Sequence, residues 1–126
     1  VIDWSTYNGS TVLAYYHGDA TTRNLSTQCT QHTASTFNGL TGWYLANFHE
    51  FFNITNFELT TPSNMLDYAP FNISQRRYFW HSTQPAGTGG NCVDTQGASP
   101  LISVGKTNSY SAIWVRVCTV TGTTLT

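Results

Sequence analysis

Apolar and polar positions change period several times along the chain. Residues 1–7 and 11–16 carry short apolar runs separated by Asn8-Gly9, a dipeptide favoured where a chain reverses tightly. They predict two short strands, the second closed by His17-Gly18-Asp19. Residues 21–35 lack Gly and Pro and predict a first helix, although Leu25, Cys29 and Ala34 are almost its whole apolar content. The densest signal is Trp43-Tyr44-Leu45-Ala46-Asn47-Phe48-His49-Glu50-Phe51-Phe52. Asn47 followed three residues later by Glu50 is a capping-box pattern: a side-chain acceptor for free amides, and a carboxylate reaching back. Leu45, Phe48, Phe51 and Phe52 recur at spacings of three and four, so they share one helical face. A second, amphipathic helix with an aromatic face is expected over residues 47–57. From there to Arg77, Pro62 and Pro70 interrupt a stretch without a period, which reads as loop.

Residues 78–82 predict an aromatic strand, and residues 84–91, with Pro85 and three glycines, a turn or exposed loop. Residues 92–95 and 101–104 read as further strands. Residues 111–120 carry the strongest strand pattern: Ile113, Val115 and Val117 alternate on one face, Trp114 and Cys118 on the other. Apolar residues on both faces predict a central strand. A few strands, two helices and then loop-rich strands indicate an α+β class rather than alternating βαβ units.

Composition narrows the functional classes. At 126 residues the chain reads as one domain. Only 9% of residues are charged, against about 25% in ordinary soluble domains. Five Lys and Arg residues are spread along a chain of net charge −1, with no basic stripe for nucleic acid. No apolar run approaches the roughly 20 residues of a membrane span. Few charges with abundant Thr, Asn, Tyr and Trp point to an extracellular, cell-surface or virion-surface location. Position 1 is Val and no signal peptide is visible, so the chain is expected to be the C-terminal part of a longer one.

Three cysteines, Cys29, Cys92 and Cys118, allow at most one internal bridge. None lies at CxxC spacing, so zinc has no support. As free thiols they read as small buried apolar residues.

Three segments, in order, resemble the DUF1566 family, also called the Lcl C-terminal domain, known from an adhesin. Trp43-x-Leu45-x-Asn47-x-x-Glu50-Phe51 resembles its W-R-L-P-T-x-x-E-L segment. Phe79-Trp80-His81-Ser82-Thr83 is similar to its Y-W-S-S-T, and Trp114-Val115-Arg116-Val117-Cys118 to its closing V-R-C-V-R. Ala46 stands in place of Pro, Tyr44 of Arg and His81 of Ser, and the last Cys is displaced by one. The resemblance implies a C-type lectin-like (sulfatase-modifying-factor-like) fold over residues 1–126: two helices flanking a small antiparallel sheet, with a long loop region above it. It also implies a disulfide from Cys29 to Cys118, with Cys92 as the rival partner.

Catalytic patterns are sparse. His49-Glu50 is not followed by the second histidine a zinc protease needs, Asn53 standing there. No nucleophile elbow and no phosphate-binding glycine loop occurs. Joining Asp67 and Asp94 to a histidine would be required for a small hydrolase. Gln84-Pro85-Ala86 and Asn91-Cys92-Val93-Asp94 depart from the oxygen-donor motifs of calcium lectins, so no calcium site is expected. Four Asn-x-Ser/Thr sequons, at Asn8, Asn24, Asn53 and Asn72, are of a number that so Ser- and Thr-rich a chain produces by chance.

Aromatic residues make up 14% of the chain. Tyr and Trp beside Asn, Ser and Gly give rigid amphipathic contact area with adaptable hydrogen bonding, the chemistry of a recognition surface. Tyr68, His81, Asn91, Asp94 and Tyr110, in or beside loops, are the candidate ligand-binding residues. The reading is a non-enzymatic recognition domain, without cofactor, metal, nucleic-acid partner or membrane insertion. It binds a cell-surface glycan or protein receptor, as at an adhesin or phage tail-fibre tip, and a homotrimer is expected by family. A capsid or filament subunit is the first alternative and a small hydrolase the second.

Overall fold

The computed structural model describes residues 1–59, 63–84, 89–97 and 101–126. Strand β1 (Ile2–Asp3) pairs antiparallel with β2 (Thr11–Tyr16), Ile2 facing Ala14. The strand expected over residues 1–7 lasts only two residues. Asp3 caps a 3-10 turn at Trp4–Thr6, its carboxylate accepting from the Ser5 N–H at 3.1 Å. The Asn8 side chain then accepts from the Ser10 and Thr11 amides, and Gly9 reverses the chain at φ 98°.

Helix α1 (Leu25–Ala34) is capped by Asn24, which accepts from the Thr27 N–H at 2.9 Å. With so little apolar content it docks partly through a polar residue. Gln28 is fully buried, donates to the Thr21 and Tyr110 carbonyls, and accepts from Arg23. After β3 (Tyr44–Leu45), helix α2 (Phe48–Asn53) begins with the expected capping box. Asn47 accepts from the Glu50 N–H at 2.8 Å; Glu50 accepts from the Asn47 N–H at 3.0 Å and from the Tyr44 hydroxyl at 2.6 Å. The helix stops at Asn53 instead of reaching residue 57. β-branched Ile54 and Thr55 follow, and the Ile54 N–H turns back to the Phe51 and Phe52 carbonyls. Phe51 is fully buried, whereas Phe57, left beyond the helix, is 48% exposed.

The stretch that follows is irregular but not merely a surface loop. Met65, Leu66, Phe71 and Ile73 enter the core, and buried Asn64 braces them by donating to the Arg76 carbonyl and accepting from the Leu66 N–H. Strands β4 (Tyr78–Trp80), β5 (Gly89–Asp94) and β6 (Leu101–Gly105) form a three-stranded antiparallel sheet. Strand β7 (Trp114–Thr121) pairs with β2, with β3 and, near its end, with β8 (Thr124–Leu125). That makes a second sheet of five strands, β1-β2-β7-β3 with β8 on β7.

The expected two-helix, C-type lectin-like α+β arrangement is therefore not the one adopted. The fold is mostly β, with two antiparallel sheets and only one α-helix longer than seven residues among the described residues. Strands β4, β5 and β6 pair with one another instead of joining a single sheet, and the second helix is too short to cover one.

Apolar side chains fill both faces of the larger sheet, as the pattern of β7 predicts. Tyr15, Ile113 and Val115 meet Phe51, Leu66, Phe71, Phe79 and Val93 on one side. Val12, Leu45, Trp114 and Cys118 meet Leu25, Trp43, Trp80 and Cys92 on the other. Val117, expected on an apolar face, is 51% exposed beyond the end of the first core. The implied Cys29–Cys118 bridge is not made: Cys29, Cys92 and Cys118 are free thiols. All three pack in or against the second core as apolar groups, and burial, with the nearby Asp94 carboxylate, pushes the Cys92 thiol up to about 12.

Candidate functional site

Alternation along β4 and β5 distributes side chains to two sides of the smaller sheet. Tyr78, Trp80 and Cys92 take one side; Phe79, Asn91 and Val93 take the other, which His81 joins just past the end of β4. Each side carries a concave site.

On the first side, the Tyr78 and Tyr110 rings lie 5.0 Å apart, with Tyr110 also 5.1 Å from the buried Trp80 ring. Tyr110 is held by its backbone, which exchanges hydrogen bonds with Arg23 at 3.0 and 2.9 Å. The Arg77 guanidinium sits over the Tyr78 ring at 4.9 Å. Two adjoining hollows of about 330 and 370 Å³ flank these groups and share Gln75 and Arg76. Arg76 is fixed from behind, donating to the Asp19 and His17 carbonyls. Exposed Gln75, Ser74 and Asn72 line the outer rim. The surface is aromatic, cationic and rich in amides, all of it standing on backbone anchored to the sheet.

Asp94 lies behind this groove rather than in it. It is 5% exposed and takes a two-point hydrogen bond from Arg77 at 2.7 and 2.8 Å. Burial would raise its carboxyl, but the Arg77 bonds and the Gln96 N–H hold it below the usual carboxylate range. Asp94 therefore positions Arg77 over Tyr78 instead of facing a ligand. Asp67 is exposed on a separate loop, and the pockets described here do not join it to Asp94 and a histidine.

On the other side, His81 and Asn91 line a pocket of about 250 Å³ with Phe48, Thr83, Ile102 and Ser103. His81 is 1% exposed, yet neither Nδ1 nor Nε2 has a hydrogen-bond partner. Burial holds its imidazole below the ordinary histidine range, so the ring is neutral at neutral pH. Gln84 clamps the backbone around it: its amide donates to the His81 carbonyl at 2.6 Å and the Asn91 carbonyl at 2.7 Å, and accepts from the Asn91 N–H at 2.7 Å. Thr83 accepts from the Phe48 N–H at 3.2 Å, tying the pocket rim to α2.

Tyr68 belongs to neither place. Its hydroxyl donates to the Ile54 carbonyl and its ring packs edge-on to Phe71, so it braces the irregular segment beside a shallow hollow near Val1. Of the five candidates from sequence, the fold brings together His81 and Asn91, places Tyr110 in the groove, and leaves Asp94 and Tyr68 as supports. Tyr78, Gln75, Arg76, Gln84 and Ser103 were not among the ligand-binding candidates from sequence. Tyr78 and Gln84 flank His81 closely enough for the dense aromatic run to have flagged them. The others are ordinary polar residues until the chain folds.

Among the described residues no group of three or more His, Cys, Asp or Glu side chains is placed to hold a metal ion, and no helix is long and apolar enough to cross a membrane. Compared with protein-family models, with curated proteins and with solved structures, the chain matches none.

Proposed function

We propose that the protein is a non-enzymatic recognition domain, displayed outside a cell or on a virion, that binds a glycan or protein receptor through the Tyr78–Tyr110 groove. The observation that carries this reading is the pair of half-buried tyrosine rings with a guanidinium held over one of them and amides at the rim. Tyr offers a flat apolar surface with a polar tip at low entropic cost, and Arg adds a cation that stacks on rings and donates in a fork. The three segments resembling the DUF1566 family fit the same reading. Display as a homotrimer would multiply a modest single-site affinity.

A glycan array and a receptor pull-down test it, with Tyr110→Ala as the probe, since its anchoring hydrogen bonds are made by the backbone and survive the change. The expected outcome is binding by the native chain and a loss of about tenfold or more in the variant, the worth of roughly 1.4 kcal/mol. Absence of any ligand in both assays, or full binding by Tyr110→Ala, overturns the proposal.

Assembly into a capsid or filament is the second reading, favoured by Trp4 and Tyr7, which are 58% and 46% exposed and meet edge-on at 6.0 Å. It predicts that Trp4→Ser lowers the solution mass while leaving receptor binding by the single chain intact.

A further inference from the structure

The His81 pocket lies on the opposite side of the β4–β5–β6 sheet from the tyrosine groove, and recognition through that groove makes no use of it. We propose that it is a binding site for one uncharged polyhydroxylated unit: a single sugar residue or a free polyol of that size.

The argument begins with a cost. A buried imidazole with both nitrogens unbonded destabilises a folded chain, and such groups are rare in native structures. His81 is 1% exposed and has no partner at either nitrogen. An apolar residue of similar size would fill the same space without that penalty. The pocket that His81 lines has exposed Thr83 and Ser103 at its rim, while the two ring nitrogens lie sealed beneath its floor, so a ligand reaches them when the ring or its neighbours shift toward the opening.

What enters must match the lining. A neutral imidazole has one N–H donor and one bare nitrogen acceptor, and a hydroxyl group can satisfy either. Thr83 spends its oxygen on the Phe48 N–H, so its own O–H is available to donate. Asn91 and Ser103, directly paired across β5 and β6, bring an amide and a hydroxyl to the same hollow. The Phe48 ring, 5.8 Å from the His81 ring, supplies an apolar wall. Donors and acceptors beside an aromatic face suit a ring bearing hydroxyls on its edge and C–H groups on its flat side. Among the described residues no Asp, Glu, Lys or Arg lines the pocket, so an ion would enter without a counter-charge. The volume, about 250 Å³, lies below the roughly 300–1,000 Å³ of sites for drug-sized ligands, so it holds one unit rather than a chain of them. The Gln84 amide fixes the spacing of residues 81 and 91 before any ligand arrives.

The test follows the nitrogens of His81 by ¹⁵N NMR while glucose, galactose, N-acetylglucosamine and glycerol are titrated in turn. Saturable shifts of the His81 imidazole by at least one probe are expected. A sugar acting alone identifies a glycan residue as the natural source; glycerol acting equally well identifies a free polyol. Ser103→Leu, at an exposed position, fills the mouth of the pocket without touching the core and should weaken the effect about tenfold or more. His81→Phe should keep or raise the melting temperature, read independently of the NMR signal, and abolish saturation-transfer signals from the same probes. The proposal is overturned if no probe shifts His81, if Ser103→Leu binds unchanged, or if a high-resolution structure shows ordered water on both nitrogens that no probe displaces. Repeating the titration on Tyr110→Ala separates the two sites: failure at His81 leaves the groove reading standing, and loss at the groove leaves the His81 shifts intact.

Discussion

Two histidines, His81 and His17, shape the response to acid at the residue scale. Burial lowers the His81 pKa from its ordinary value of 6.5. Below that value the unfolded chain binds a proton that the folded chain resists, so stability is complete above about pH 6.5 and falls as the pH drops through the window beneath it. His17, lowered first by burial and then by the N-terminal ammonium and Arg76, contributes with the same sign. Melting temperature should therefore decline between pH 7 and pH 5, and His81→Phe should remove part of that decline. A native curve flat across the window would contradict this. The thiols give a second residue-scale expectation. Cys92 and Cys118 are buried and Cys29 is partly exposed, so alkylation of the native protein should label Cys29 alone, and three thiols should react after unfolding. Mass shifts before and after denaturant, without reductant, read this directly; a single reactive thiol in the unfolded chain would restore the bridge. The position of His81 beside a loop was legible in the sequence. Its burial was not, because Phe48 and Asn91, which close over it, come from 33 residues before it and ten after.

Elements followed local rules at their beginnings and tertiary forces at their ends. The start of α2 is the clearest case: Asn47 and Glu50 form the reciprocal cap that their spacing predicts. Asn47→Ala should cost about 1 kcal/mol of stability in chemical denaturation, because one of the first amides loses its acceptor. An unchanged midpoint and slope would show that tertiary packing alone holds the helix in place. Its end was misjudged: Phe57, five residues after Phe52, falls off the aromatic face, and β-branched Ile54 and Thr55 disfavour another turn, so the chain turns away. The first helix was expected from an absence of breakers, and its docking by Gln28 to the Tyr110 carbonyl spans 82 residues that no local pattern reports. Strand β7 was read correctly as central, since both of its faces are apolar and it pairs on both edges.

At the scale of the molecule, β7 is shared property. Ile113 and Val115 belong to one core, Trp114 and Cys118 to the other, and the Phe79–Ser111 bridge ties the smaller sheet to the approach of β7. Both cores therefore depend on the same strand. Heat or denaturant should thus melt the chain in one cooperative transition, with tryptophan fluorescence and far-ultraviolet dichroism coinciding. Two separated transitions would mean that residues 78–105 fold as an independent unit.

Periodicity and caps by themselves determined where α2 begins, that β7 is central, and that the N-terminal strands form a hairpin, because each depends on neighbours within a few residues. Composition alone set the aromatic, weakly charged character of the surface. Tertiary structure decided that β4, β5 and β6 form their own sheet, that the cysteines stay apart, and that Tyr110 falls in a tyrosine groove and His81 with Asn91 in a separate pocket. Those outcomes rest on hydrogen bonds and contacts between segments tens of residues apart, whose energies depend on which surfaces meet and leave no periodic trace in the chain.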